Sequence, residues 1–193
     1  MRVRLTPVGG FVELPHPAVL PLPGSRDDAC VATDIELFAD YFQIHVLDEG
    51  SEGDFSDVWN AQTVLDGLGA IQDALAIGTA ANDTVAVSVH VLADQPDDDS
   101  DDFDHVVEAS LHAPSGRLIV MGRPDFLDDA ARCDVPAGWT RARASRRNLA
   151  AAVRRMESDE EPETPETTEE IRLQTWPASF SPPRIVKRWP QPQ

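Results

Sequence analysis

The residues with the clearest chemical potential form a run of aspartates near the middle of the chain. Residues 94–104 hold seven aspartates in eleven positions. Carboxylate oxygens are ligands that Ca²⁺ prefers, which makes Asp97, Asp99 and Asp101 candidate calcium ligands. The run lacks the glycine and the alternate spacing of a calcium loop, and consecutive aspartates cannot all point inward. The competing hypothesis is that the run attracts a cationic protein.

A second acidic loop follows a long predicted strand at residues 34–49. In a complex, carboxylates of both loops would imitate the phosphates of a nucleic acid and steer a cationic partner into contact. An aromatic residue beside either loop would supply an apolar anchor. The candidate partner-binding residues are Asp48, Glu49, Glu52, Asp54, Phe55, Asp97, Asp98, Asp99, Asp101, Asp102 and Phe103.

No catalytic motif accompanies these carboxylates. Residues 67–72 offer two of the three glycines of a dinucleotide-binding turn, but they precede a predicted strand instead of following one. The five histidines show no metal-ligand spacing. We therefore predict a protein that is not an enzyme and has no cofactor. An active site assembled from scattered His and Asp residues ranks last among the hypotheses.

The charge distribution narrows the class of partner. The net charge is −18, and residues 27–116 contain 21 carboxylates and no Lys or Arg. Such a field repels nucleic acid and anionic lipid and attracts cationic proteins. Arg141 and Arg143 fall on one face of a predicted strand, where we expect ion pairs within the fold rather than a nucleic-acid patch. A plainer alternative is an interaction domain whose acidity serves solubility.

Targeting signals are not apparent. Pro15, Pro17, Pro21 and Pro23 interrupt the apolar stretch near the start, so we predict no signal peptide. No run approaches the ~20 apolar residues of a membrane span. Two cysteines do not make a disulfide framework. A cytoplasmic location is the expectation.

The elements that must position the acidic loops are mainly strands. Residues 34–49 alternate apolar and polar side chains with a break near Ala39, and Phe42 shares the apolar face of Ile44 and Val46. Residues 84–92 and 105–113 alternate in the same way. Turn residues separate these short strands, and only one short helix is predicted, near residues 58–67. The pattern predicts an all-β antiparallel sandwich of about seven or eight strands.

The flanks differ in composition from this core. The predicted organisation is a Pro-rich arm at 1–29, a β-sandwich domain at 30–156, an acidic low-complexity loop at 157–169, a possible final strand at 170–177 and a Pro-rich basic tail at 178–193. The acidic loop cannot bury a core. The tail is expected to lack regular structure unless a partner holds it.

The middle of the chain resembles the competence protein J family. The resemblance lies in residues 38–48, the helix with Trp59, the strand at 76–79 and the strand at 85–91, and it covers about residues 34–91. It implies a β-sandwich without catalysis of its own and a nuclease or related effector as partner. The Pro-rich arm, the acidic segment at 157–170 and the tail depart from the family, and no binding residue is carried over.

Three hypotheses follow from these observations. The leading one is an acidic protein that inhibits or neutralises a cationic partner such as a bacterial nuclease or toxin. The alternative is a calcium-dependent binding module that uses the same loops. The third is an interaction domain whose acidity serves solubility.

Overall fold

Two stacked β-sheets make up most of the chain. The computed structural model describes residues 31–122, 125, 130–158 and 163–190. The strands of the first sheet are β1 Val31–Phe38, β5 Thr84–Val91, β6 His105–Ala113, β9 Gly138–Arg147, β10 Glu169–Pro177 and β11 Arg184–Lys187, in the spatial order β1-β5-β10-β9-β6-β11. Those of the second are β2 Gln43–Asp48, β3 Leu68–Ala70, β4 Ala74–Gly78, β7 Arg117–Gly122 and β8 Ala131–Asp134, in the order β3-β4-β2-β7-β8. The predicted all-β sandwich is confirmed, but the described residues form eleven strands rather than the seven or eight predicted.

The long stretch predicted at residues 34–49 crosses from one sheet to the other. β1 pairs with β5 in the six-stranded sheet, whereas β2 pairs with β4 and β7 in the five-stranded sheet. A 3₁₀ turn at Asp40–Phe42 joins β1 and β2, close to the predicted break. The Ala39 amide donates to the Asp83 carbonyl at 2.9 Å, which ties this crossing to the residue before β5.

Alternating side chains from both sheets fill the space between them. Val85, Val87 and Val89 of β5 are at most 2% exposed, and they belong to one apolar cluster with Ile44 and Ile77 of the other sheet. Full burial of an aliphatic side chain of this size contributes about 1.5–3 kcal/mol. The period-two pattern therefore predicted the buried face of β5 correctly.

The C-terminal segment covers the outer face of the six-stranded sheet. Glu108 and Ser110 alternate to the outer face of β6 as predicted, yet both are buried. The reason is that β11 pairs with β6, and Arg141 Nη1 donates to the carbonyls of Ser181 and Pro182 at 2.8 and 3.1 Å. The described part of the tail thus differs from the expectation of a segment without regular structure.

β10 lies inside its sheet rather than at an edge. It pairs in parallel with β5 and antiparallel with β9. Sequence analysis predicted a last strand at 170–177 and antiparallel pairing throughout, so the parallel pair with β5 is a difference. A parallel pair needs a long crossover connection, and here β6 to β9 and α2 (Leu149–Glu157) all lie between β5 and β10 along the chain.

A second short helix, α1 (Ala61–Asp66), borders the five-stranded sheet. The Asn60 side chain accepts from the backbone amides of Gln62 and Thr63, which satisfies donors that the first turn leaves open. Gly67 ends the helix with φ of 60°, a left-handed conformation that glycine adopts without strain. The sequence predicted this stop.

Some predicted segments lie outside the described residues. These are the arm at 1–29, positions 159–162 of the acidic loop and positions 191–193 of the tail. Within the described ranges no helix has the length and apolarity that crossing a membrane requires.

The Glu169 carboxylate provides a test of the packing. It is fully buried and accepts from Arg146 Nε at 2.8 Å and from the Ala80 amide at 2.7 Å. We predict that Glu169→Gln lowers the free energy of unfolding by about 3–5 kcal/mol, because it leaves the buried Arg146 charge uncompensated. Urea unfolding followed by tryptophan fluorescence measures this loss.

The neighbouring residue supplies the control. Glu170 pairs with Arg147 in an exposed ion pair, so Glu170→Gln is expected to cost about 0–1 kcal/mol. Equal losses for the two variants would contradict the role assigned to Glu169.

Candidate partner-binding surface

The aspartate loop, residues 94–104, is held against the outer face of the six-stranded sheet. Arg143 Nη1 donates to the Asp97 carbonyl at 2.9 Å. The Arg172 guanidinium grips the Asp99 carboxylate with both terminal nitrogens at 2.7 Å. Lys187 Nζ donates to the Asp101 carbonyl at 3.2 Å. Three cations of the sheet therefore fix the backbone of a loop that like-charge repulsion would otherwise spread.

Phe103, near the end of the aspartate loop, is buried in the fold. It is 9% exposed, and the Arg172 guanidinium lies 4.4 Å from its ring centroid. The cation–π contact and the burial hold Phe103 in the fold. The structure gives Phe103 a structural role, so a partner cannot use it as an exposed anchor.

Five aspartates of the loop are exposed, namely Asp94 at its start and Asp97, Asp98, Asp101 and Asp102 further along. The Ser100 backbone amide donates to Asp98 Oδ1 at 3.1 Å, and this hydrogen bond lowers the pKa of the Asp98 carboxyl. The hydrogen bond from Arg172 lowers the pKa of Asp99. Both groups are therefore ionised at neutral pH.

The second acidic loop, residues 48–55, contains more structural than exposed groups. Asp48 is 3% exposed, and its carboxylate accepts from the Gly50 and Ser115 amides at 3.0 Å. Phe55 is 7% exposed, with its ring centroid 4.7 Å from that of His45. These contacts stabilise the loop and leave Asp48 and Phe55 little surface for a partner.

The remaining acidic residues of this loop are exposed. Glu49 forms ion pairs with Arg117 and Arg132 at 3.4 and 3.1 Å, so part of its charge is compensated. Glu52 and Asp54 point to solvent. Hydrogen bonds from the Ser56 side chain and backbone lower the pKa of Asp54, which keeps that carboxylate ionised at neutral pH.

The two acidic loops lie at opposite ends of β6. Asp48 contacts Ser115, just beyond the last residue of β6, whereas the aspartate loop ends at Asp104, directly before the first. A strand of nine residues spans roughly 30 Å. In the described part of the chain no three His, Cys, Asp or Glu side chains converge to hold a metal ion. The calcium hypothesis for Asp97, Asp99 and Asp101 therefore gains no support from the geometry.

An exposed aromatic pair that the sequence pattern did not predict lies where the chain changes sheets. Tyr41 and Phe42, here called the aromatic corner, have φ angles of 55° and 59°. This left-handed backbone costs about 1–2 kcal/mol for a residue with a side chain. Tyr41 is 66% and Phe42 45% exposed. Alternation had placed Phe42 on the buried face with Ile44 and Val46, and the left-handed turn rotates it out.

An apolar pocket of about 640 Å³ opens between the aromatic corner and α1. Val64 and Leu65 of α1 line it and are 56% and 50% exposed. Trp59 and Trp189 also line it. Val64 and Leu65 both fall within the helix predicted near residues 58–67, but no role was assigned to them from the sequence.

His105 and Arg146 also line the pocket, and both are at most 5% exposed. The Trp189 amide donates to His105 Nδ1 at 3.1 Å, so the ring proton resides on Nε2, which donates to the Asp66 carbonyl at 2.9 Å. Burial and the nearby Arg146 charge lower the pKa of His105 to about 4. The imidazole is neutral at pH 7 and holds the C-terminal segment against α1.

Comparison with known proteins identifies the fold. A scan of protein-family models finds no match, and a search of curated proteins finds none. The structure is similar to the crystal structure of ComJ, inhibitor of the DNA-degrading activity of NucA, from Bacillus subtilis, with a TM-score of 0.56 and 13% identity over 77% of this chain and 98% of that chain. It is also similar to a structure described as crocagin biosynthetic gene J, with a TM-score of 0.52 and 18% identity over the same shares. The chain therefore has a ComJ-like fold.

Arg172 provides a test of how the aspartate loop is held. Arg172→Met removes the fork to Asp99 and the charge over Phe103. We expect faster amide hydrogen exchange in residues 97–103 and a loss of stability of about 1–3 kcal/mol. Arg117→Met, which removes two exposed ion pairs, with Glu49 and Asp134, is the control and should cost about 0–1 kcal/mol. Unchanged exchange in the loop would show that Arg172 does not hold it.

His105 gives a prediction on pH. Its folded pKa lies below the ordinary value of 6.5, so the unfolded chain binds more protons in the window between. Stability is then complete above about pH 6.5 and falls as the pH drops towards about 4. The charged groups that face the ring are Arg146, Arg188 and Asp66. Urea unfolding at several pH values measures the slope.

His105→Gln separates this contribution from others. Burial also lowers the pKa of His90, which adds a slope of the same sign. The variant is therefore expected to reduce the dependence between about pH 6.5 and 4 without abolishing it. An unchanged slope would rule out His105 as a contributor.

Proposed function

We propose that this chain is a non-catalytic inhibitor of a cationic enzyme of the DNA-degrading nuclease class, and that it binds this enzyme through the aspartate loop. The observation that carries the proposal is the fixed loop backbone, from which Asp97, Asp98, Asp101 and Asp102 project to solvent. A loop that served solubility alone would have no need of three cations to hold its backbone.

Preorganisation is the physical advantage of this arrangement. A mobile acidic loop loses conformational freedom and suffers more self-repulsion when a partner orders it, and both effects reduce affinity. Here Arg143, Arg172 and Lys187 order the backbone in the free protein. The exposed carboxylates are then available to the partner at little further entropic cost.

The class of partner follows from charge. An enzyme that degrades DNA binds a polyanion, so its substrate cleft is cationic. Carboxylates held in fixed positions would occupy such a cleft in place of phosphates and speed the encounter. ComJ, which has a similar fold, is an inhibitor of the DNA-degrading activity of NucA. This similarity supports the proposal only through the shared fold. The geometry of the aspartate loop is what supports the proposed binding surface.

The second acidic loop has a smaller part in the proposal. It lies at the opposite end of β6, too distant for one cleft to cover both loops. Glu49, Glu52 and Asp54 therefore add to the long-range field that steers the partner. Asp48 and Phe55 are assigned to the fold, as is Phe103 beneath the aspartate loop.

Inhibition and salt dependence test the proposal together. The full chain is titrated into purified bacterial DNA-degrading nucleases, including NucA from Bacillus subtilis, and DNA cleavage is followed. We expect inhibition of at least one of them. Replacing Asp98, Asp101 and Asp102 by Asn should slow association at low salt about tenfold or more, and raising salt from about 50 to 500 mM should remove most of that difference.

A charge-matched triple variant is the control. Asp57→Asn, Asp73→Asn and Asp134→Asn change the net charge equally at solvent-accessible positions in or beside the five-stranded sheet, outside the loop. We expect this variant to associate within about twofold of the parent. Equal slowing by both triple variants would reduce the effect to net charge, and no inhibition of any nuclease would refute the proposed function.

A further inference from the structure

We infer that the apolar pocket between the aromatic corner and α1 receives an apolar side chain of the same cationic protein that the aspartate loop attracts. The inference rests on the proposed function and supplies the second half of the contact surface. It assigns the anchoring role to Tyr41, Phe42 and Leu65, in place of Phe55 and Phe103, which are buried.

The exposed apolar side chains concentrate around this pocket. Seven large apolar side chains are exposed in the described part of the chain. Tyr41, Phe42, Val64 and Leu65 of that set line the pocket. Met156 joins them through Asn82, whose amide meets Met156 Sδ at 3.3 Å and whose side chain accepts from the Phe42 amide. A continuous aromatic and Met-containing patch is typical of protein interfaces.

The aromatic corner combines a strained backbone with exposed aromatic side chains. Both residues have a left-handed backbone that bulky side chains rarely adopt, and their side chains are 66% and 45% exposed. Glycine or asparagine would fit this turn with less strain. Backbone strain is concentrated at functional sites, and two exposed aromatic residues on such a backbone point to a contact with another protein.

The floor of the pocket determines the chemistry of the occupant. Arg146 lines it, but its charge is compensated by Glu169. His105 is neutral, and both of its ring nitrogens are already hydrogen-bonded to Trp189 and Asp66. A charged group that entered the pocket would lose its hydration and find no complementary charge at the floor, so its binding would be unfavourable. An uncharged apolar side chain suits these walls and this floor.

The charge next to the pocket determines the protein that carries this side chain. Lys187 binds the carbonyls of Ser100 and Asp101 in the aspartate loop, and Trp189, two residues later, lines the pocket. The pocket therefore adjoins the exposed carboxylates of Asp101 and Asp102. A partner that fits both presents an aromatic or aliphatic side chain flanked by Lys or Arg.

A tripeptide tests this chemistry without a nuclease. The probe is Lys-Trp-Lys with both termini blocked, titrated into the full chain, with the amide NMR signals of Gly67 and Gly78 as reporters because both residues line the pocket. We expect saturable shifts that weaken with salt. The blocked Glu-Trp-Glu peptide should bind at least about tenfold more weakly.

Variants locate the peptide in the pocket. Tyr41→Asn and Leu65→Gln should each weaken binding of Lys-Trp-Lys about fivefold or more. Tyr41→Asn should not lower the Tm, since Asn tolerates the left-handed backbone. Phe180→Asn is the matched control, because Phe180 is 58% exposed and contacts Trp139 away from the pocket. It should leave binding unchanged.

Several outcomes would overturn the inference. They are an absence of shifts, equal binding of the acidic peptide, and undiminished binding by Tyr41→Asn and Leu65→Gln. If the parent chain sedimented as a dimer and the Tyr41→Asn variant as a monomer, the occupant of the pocket would be a second copy of the chain. If residues 1–30 of the chain itself occupied the pocket through Phe11, the Phe11→Ser variant would bind the peptide more tightly, because the competing side chain would be gone. Peptide binding as expected, with no nuclease inhibited, would refute the proposed function and not the pocket chemistry.

Discussion

The buried ion pair between Glu169 and Arg146 is the contact on which much of the architecture depends. Glu169 begins β10 and Arg146 lies near the end of β9, so the pair joins two central strands of the six-stranded sheet. The same carboxylate accepts from the Ala80 amide in the turn before β5. Because Arg146 and Ala80 also line the apolar pocket, one pair neutralises a buried cation and positions two parts of the pocket wall.

Several of the few cations of this chain of net charge −18 lie inside the fold. Arg141 and Arg143 of β9 are buried and share Glu108. Arg143 continues to the aspartate loop, where Arg172 and Lys187 assist it. The acidic surface follows from the excess of 34 acidic over 16 basic residues. The cations that contact the aspartate loop give it its fixed shape.

The sequence predicted the features that depend on local pattern. Period-two alternation located β5 and β6, and the charge pattern predicted that Arg141 and Arg143 form ion pairs within the fold. Features that depend on contacts between distant segments could not be predicted from the sequence. Glu108 alternates to the outer face, and only the tail on β6 shows why it is buried. The exposure of Phe42 results from a left-handed turn that no glycine marks, and the burial of Asp48 results from Ser115, far along the chain.

Charge and apolar surface would contribute to different stages of the proposed complex. Long-range attraction by the aspartate loop raises the association rate, and salt screens it over roughly 10 Å. Contacts in a desolvated pocket form after encounter and mainly slow dissociation. The neutral state of His105 suits the second stage, because a protonated ring would repel Arg146 and break the acceptor bond to Trp189. The fold therefore places the charges that speed association on the aspartate loop and the neutral floor that favours retention in the pocket.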